Sequence, residues 1–301
     1  MAEEDRRAEE AQREEGAAGP GERGRKPAEA IEKAAVRAPT RGNRRLEALL
    51  DGVNADPEVL AWWHMAQVTS ERLGMSDHSW VHVQIVLNIA LRLLRLLVKA
   101  GVKPALVTDH GMRGRDAEVV VASGALLHDV GMSIHRADHE AFSLFLAEGK
   151  LRELLADVYS EPERTVVVSE ALHTIIGHRR RGEPYTLEAG VVRVADALDM
   201  AQGRTRLPVD AGRMGIHSIS AAAVDDVTIS AGTERAVRIE ITMNNSAGIF
   251  QVDDLLATKL RGTPLEEQVE VLAVVEGETE KRLLSEFRIG GAPAPGPAES
   301  A

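Results

Sequence analysis

The run Val119-Val120-Val121-Ala122-Ser123-Gly124-Ala125-Leu126-Leu127-His128-Asp129-Val130-Gly131 constrains this chain more than any other. Small and apolar residues lead straight into an imidazole and a carboxylate. The apolar part reads as a buried helix, with Gly131 placed to stop it in a left-handed C-terminal cap. Burying an ionisable pair at the end of such a helix costs free energy unless something compensates it. A metal ion compensates it, and imidazole plus carboxylate are suitable ligands. His128-Asp129 is the one His-Asp dipeptide among 10 histidines.

Composition narrows the chemistry. A chain of 301 residues has room for one large domain or two smaller ones. With no cysteine, thiolate metal sites, disulfides and cysteine nucleophiles are excluded, so any metal rests on His, Asp or Glu. A net charge of −11 and 3% aromatic residues disfavour broad nucleic-acid binding, which draws on basic surface and stacking rings. Residues 1–45 hold 11 Lys/Arg and 10 Asp/Glu with few large apolar side chains. That composition predicts a disordered polyampholyte tail. The start lacks an apolar signal core, which gives a cytoplasmic expectation.

Helical periodicity dominates residues 46–206. Residues 46–74 read as helical, and a further helix is expected over about 78–99, opened by Ser76 or Asp77. In the second, Gln84, Asn88, Arg92, Arg95 and Lys99 step by three or four and make a solvent-facing stripe. His82 lies roughly 200° from Gln84, hence on the buried face, with His78 one turn earlier. The stripe argues against a membrane span. Short helices follow over 138–146 and 150–158. A longer one runs from Pro162 to His178, and another from Leu187 to Gln202 behind a Thr186 cap. The last carries Asp196 and Asp199 on one face. After Pro208 the pattern changes to period two over Val224–Ser230 and Val237–Met243, joined by a hairpin. A helix over Phe250–Leu260 and strands over Val269–Val275 and Leu283–Phe287 complete a β-β-α-β-β unit. The expected class is α+β: a helical bundle (46–206), a small domain (207–290) and a tail (291–301).

His82, His128-Asp129, His139, His173/His178 and Asp196 thus gather ionisable groups on faces that are otherwise apolar. This ordered set resembles the HD-domain metal-dependent phosphohydrolases, whose signature is a histidine, a His-Asp pair and a distant aspartate in a helical bundle. The resemblance covers about residues 75–206. It implies that His82, His128, Asp129 and Asp196 ligate a metal, with His139 and His178 completing a second site. The segment around His178 also resembles ribonuclease Y, with Arg179 standing where a second histidine would be. Met132 departs from the pattern, since many members carry lysine there.

The implied cofactor is one or two divalent ions: Mn, Fe, Co, Ni or Zn, with Mg as a further candidate. Such ions polarise a phosphoryl oxygen and acidify water. Asp129 and His128 are the implied catalytic residues. Arg179, Arg180, Arg181, Arg204 and Arg206 are candidate phosphate contacts, because guanidinium pairs with phosphate at two points. His173 is expected to line the pocket, and Asp199 to pair with an arginine such as Arg204. The expected substrate is a phosphomonoester or phosphodiester of a nucleotide or related metabolite. The competing classes are a non-catalytic nucleotide sensor and an RNA-cleaving HD nuclease. The small domain is a candidate for pairing subunits in a homo-oligomer.

Overall fold

A computed structural model describes residues 26–179, 182–200 and 223–276. The segment ahead of the bundle contains α1 (Pro27–Ile31). Beyond α1 the chain packs on the body instead of trailing from it, contrary to the expected tail. Ala34 and Val36 are buried. Val36 exchanges two backbone bonds of 2.8 Å with the Asn54 side chain. Gln84 and Asn88 both donate to the Arg37 carbonyl. The upper part of the presumed solvent stripe is therefore covered by residues 36–37. Residues 1–25 lie outside the described residues.

The stretch 46–74 is helical as expected, as two helices, α2 (Arg44–Ala55) and α3 (Pro57–Leu73). Asp56 explains the break: its backbone N–H caps α2, and its carboxylate accepts from the Glu58 and Val59 N–H groups at the start of α3. Pro57 adds the fixed φ favoured at a first helical position. Helix α4 (Trp80–Lys99) begins at Ser79, whose side chain accepts from Val81 N–H. It is long and apolar enough to cross a bilayer by length and composition, yet most of it is buried within the protein. Val86, Leu87, Ala90, Leu93, Leu94 and Leu97 form its core face, and His82 is fully buried among them.

A short α5 (Ala105–Thr108) leads to α6 (Gly114–Leu127), buried along almost all of its length. A 3-10 turn (Val130–Ser133) follows. The two short helices expected over 138–158 are one, α7 (His139–Leu154). Buried Ala147 and Leu151 flank Gly149 and carry the helix through it. Helices α8 (Glu163–Gly177) and α9 (Leu187–Leu198) complete the bundle. Thr186 caps α9 as expected, accepting from Ala189 N–H, and the helix ends at Leu198, short of Gln202.

The small sheet has the order β1-β2-β3. Strands β1 (Val224–Ala231) and β2 (Val237–Met243) form the antiparallel hairpin, with Ile229 opposite Ile239. Strand β3 (Val269–Val275) lies parallel to β2, as the helical crossover between them requires. Burial in β2 alternates strictly, with Val237, Ile239, Ile241 and Met243 inward. The hairpin packs against α4. The crossover is a π-helical stretch (Gln251–Ala257) continued by α10 (Thr258–Leu260), and both segments contact α9. The architecture is α+β, a helical region followed by a three-stranded sheet. The strand expected over Leu283–Phe287 lies outside the described residues.

Candidate metal centre

Four helices and the turn after α6 converge on one buried cluster. His82 comes from α4, His128 and Asp129 from the end of α6, His139 from the start of α7, His178 from the end of α8, and Asp196 from α9. All six are buried. They form two triads, His82–His128–Asp196 and Asp129–His139–His178, in each of which the ligand atoms lie within 4.8 Å of one another.

The carboxylate of Asp129 spans both groups. Its Oδ2 lies 3.4 Å from His128 Nε2 and 3.6 Å from His82 Nε2. Its Oδ1 lies 3.0 Å from His139 Nε2 and 3.6 Å from His178 Nε2. Asp196 Oδ1 sits 3.5 Å from His82 Nε2 and 3.9 Å from His128 Nε2.

Hydrogen bonds behind the ligands fix which nitrogen faces the centre. His128 Nδ1 donates to the Ala125 carbonyl at 2.8 Å, and His178 Nδ1 to the Ile175 carbonyl at 2.5 Å. His82 Nδ1 donates to Asp199 Oδ2 at 2.6 Å. A carbonyl or carboxylate accepts only, so these rings carry their proton on Nδ1 and present an acceptor Nε2. The acceptor nitrogens of His82 and His128 then stand 3.2 Å apart. Two lone pairs at that distance repel, and a cation between them removes the repulsion. The donor set therefore fits divalent transition ions.

Asp199 orients His82; its expected pairing with Arg204 lies outside the described residues. The Asp199→Asn protein should bind metal on the order of 10- to 100-fold more weakly. Competition against a chromogenic chelator measures this, and an unchanged affinity would show that the ring needs no such anchor.

The electrostatics differ from ligand to ligand. Burial pushes the Asp129 carboxyl up, but the surrounding imidazoles of His128, His139 and His82 outweigh it and hold the group well below the usual carboxylate range. Burial and the neighbouring His128 push His178 well below the ordinary histidine value, so its ring is neutral at physiological pH. For His139 burial is outweighed by the bond to Asp129, which raises it.

The end of α6 is satisfied in an uncommon way. The last carbonyls of a helix lack intrahelical partners. Here buried Trp63 Nε1 donates to the Leu126 carbonyl at 2.9 Å, and Ser143 Oγ donates to the His128 carbonyl at 2.6 Å. Ser143 Oγ also accepts from Gly131 N–H at 2.9 Å. Gly131 is not a left-handed cap, since it is absent from the positive-φ positions. Its role is close approach: a Cβ there would lie 2.0 Å from the His139 carbonyl oxygen and 2.5 Å from the Ser143 nitrogen.

The remaining predicted residues are placed as follows. Arg179 lies at the exposed rim, 3.0 Å from Asp138 beside His139. His173 does not join the six ligands; it stacks on Tyr185, with ring centroids 5.0 Å apart, and accepts from the Tyr185 N–H. His78 is buried, with Nδ1 on the Ser76 carbonyl and Nε2 3.8 Å from Asp129. Met132 is fully buried. Arg180, Arg181, Arg204 and Arg206 lie outside the described residues. The sequence reading missed Trp63, Ser143, Asp199 as a histidine anchor, Arg193 and Lys259. Arg193 is buried on α9 and donates to the carbonyls of Gly177, Arg179 and Gly182, and to that of Lys259. Lys259 Nζ forms an ion pair with Asp196 Oδ2.

A bundle that presents a histidine, a His-Asp pair and a distant aspartate to one centre defines the HD class of metal-binding helical domains. The HD domain family matches residues 76–201. The "Uncharacterized protein MJ1020" of Methanocaldococcus jannaschii is 39% identical over 207 residues, covering 69% of this chain and 80% of the relative. No solved structure matches. The chain belongs to the HD-domain family.

Proposed function

We propose that the protein is a metal-dependent phosphohydrolase that cleaves a phosphomonoester or phosphodiester bond of a nucleotide or related metabolite. The observation that carries this reading is the Asp129 carboxylate set between two buried triads. His82, His128 and Asp196 would hold one divalent ion, and His139 and His178 a second, with Asp129 shared. Bound ions supply Lewis acidity at a phosphoryl oxygen.

The chain's own groups do the rest. Asp129, ionised under physiological conditions by its histidine neighbours, can accept a hydrogen bond from an attacking water and orient it. The anchored Nδ1 protons of His82, His128 and His178 keep the rings fixed, so little reorganisation accompanies the reaction. The Arg179 guanidinium at the rim is suited to guide an anionic substrate inward.

Elemental analysis of the purified protein should find one or two transition-metal ions per chain. Chelation should remove them, abolish hydrolysis and lower the melting temperature. Hydrolysis is measured with Mn²⁺ on a panel of nucleoside monophosphates, cyclic dinucleotides and short RNA. Metal-free protein with unchanged stability on chelation would overturn the site. Metal-loaded protein that binds nucleotides and hydrolyses none would favour the sensor instead. Cleavage confined to RNA would make it a nuclease.

A further inference from the structure

We infer that Lys259, from the small domain, is the cation that receives the substrate's phosphoryl group at the metal centre. The inference rests on the phosphohydrolase reading above and deepens it.

Among the described residues of the HD segment, Arg136 is bonded to the ligand His139, and no lysine stands three residues after Asp129. Met132 follows the His-Asp pair, is fully buried and carries no charge. Arg179, at the rim, is engaged with exposed Asp138. Lys259, outside the family-matched residues 76–201, instead brings an ammonium group to the ligand Asp196. The Lys259 side chain is mostly buried, at 14% exposure. An ammonium there is a point charge with three donors, able to bond a carboxylate and a phosphoryl oxygen together.

The placement is built rather than incidental. One face of α9 receives the small domain at Gly190, Arg193 and Asp196, spaced three apart and so stacked along the helix. Gly190 leaves room for fully buried Leu265, whose Cδ1 would lie 2.7 Å from a Cβ at that position. Arg193 Nε donates to the Lys259 carbonyl at 2.8 Å, fixing the backbone that bears the ammonium. The π-helical stretch Gln251–Ala257 runs directly into that segment. Such widened turns recur at functional sites because they re-aim the residues that follow. Ordering a long lysine side chain costs entropy, and a packed backbone anchor reduces what remains to be lost on binding.

The test uses the full chain loaded with Mn²⁺ and inorganic phosphate as the probe. Calorimetric titration should show phosphate binding weakened about 10- to 100-fold in Lys259→Met, the worth of a charge-assisted bond. Lys259→Arg should restore most of it. Metal content, read by elemental analysis, should be the same in all three proteins. With a hydrolysable substrate, Lys259→Met should raise KM at least as much as it lowers kcat. Phosphate affinity that ignores residue 259 in metal-replete protein overturns the inference and leaves the phosphohydrolase reading standing. So does a Lys259→Met protein whose metal content or metal affinity changes while phosphate binding does not, because Lys259 then serves Asp196 alone. Wild-type protein that takes up no metal overturns the underlying reading, and the inference with it.

Discussion

His128→Ala should keep its helical content while losing its metal and its phosphoesterase activity together. The ring it removes belongs to one triad and stands beside the Asp129 carboxylate that serves both. Losing it should lower kcat on the order of 10³-fold or more, equivalent to roughly 4 kcal/mol of transition-state stabilisation. Asp129→Asn is the sharper variant, since it keeps the volume and removes only the charge and the second acceptor oxygen. It should be at least as damaging, because both triads face that carboxylate. Circular dichroism checks the fold, elemental analysis the metal, and steady-state hydrolysis the rate. Wild-type turnover in either variant would exclude the triads as the catalytic centre. A His128→Ala protein that stays active but loses one ion would restrict catalysis to the His139–His178 side.

Gly131→Ala should be among the most damaging glycine-to-alanine changes at the described residues. The new Cβ would fall 2.0 Å from the His139 carbonyl oxygen, 2.5 Å from the Ser143 nitrogen and 2.9 Å from the Phe142 carbonyl carbon. All three are backbone atoms of α7, so no rotamer change relieves the overlap. The helix must shift, taking His139 and the Ser143 bridge with it. Overpacking of this kind costs about 3 kcal/mol or more. For a chain this long that is roughly a 6–12 °C fall in melting temperature. The displaced His139 should also weaken the second metal position, which a titration of metal stoichiometry would reveal. Gly149→Ala is the control. It adds a methyl within α7 itself with nothing within 4 Å, and should be neutral or stabilising by up to about 1 kcal/mol. If the two variants melt alike, close approach is not why position 131 is glycine.

Side-chain periodicity made part of this centre legible in the sequence. Polar residues on one face of α4 placed His82 on the other, and His82 is indeed fully buried. The apolar run ahead of His128-Asp129 announced a buried helix end, and α6 ends there. The partners behind the ligands were not legible, because no local pattern encodes them. Trp63 reaches Leu126 across 63 positions, and Asp199 reaches His82 across 117. Lys259 sits in a segment whose apolar spacing predicts a helix and nothing more. Two errors had local causes. Averaging composition over residues 1–45 hid Ala34 and Val36, both buried, within a charged stretch. The break expected between Leu146 and Lys150 does not occur, because the penalty of about 1 kcal/mol for Gly149 is small beside the burial of Ala147 and Leu151 around it. Asp56-Pro57, by contrast, did carry a readable start signal that the apolar spacing across it masked.

The Arg193 side chain has a practical consequence for anyone who divides this protein. Its guanidinium holds the backbone just before and after the His178 turn, at Gly177, Arg179 and Gly182, and also the backbone of Lys259. A fragment cut at the family boundary would keep Arg193 but strand one side of its grip. Burial already pushes that guanidinium below its ordinary pKa, so each lost acceptor leaves a poorly solvated charge. Its nearest relief is to swing outward and release the turn that carries His178. The minimal unit that holds the centre is thus longer than the motif that names it, and a truncated domain would report on a loosened centre.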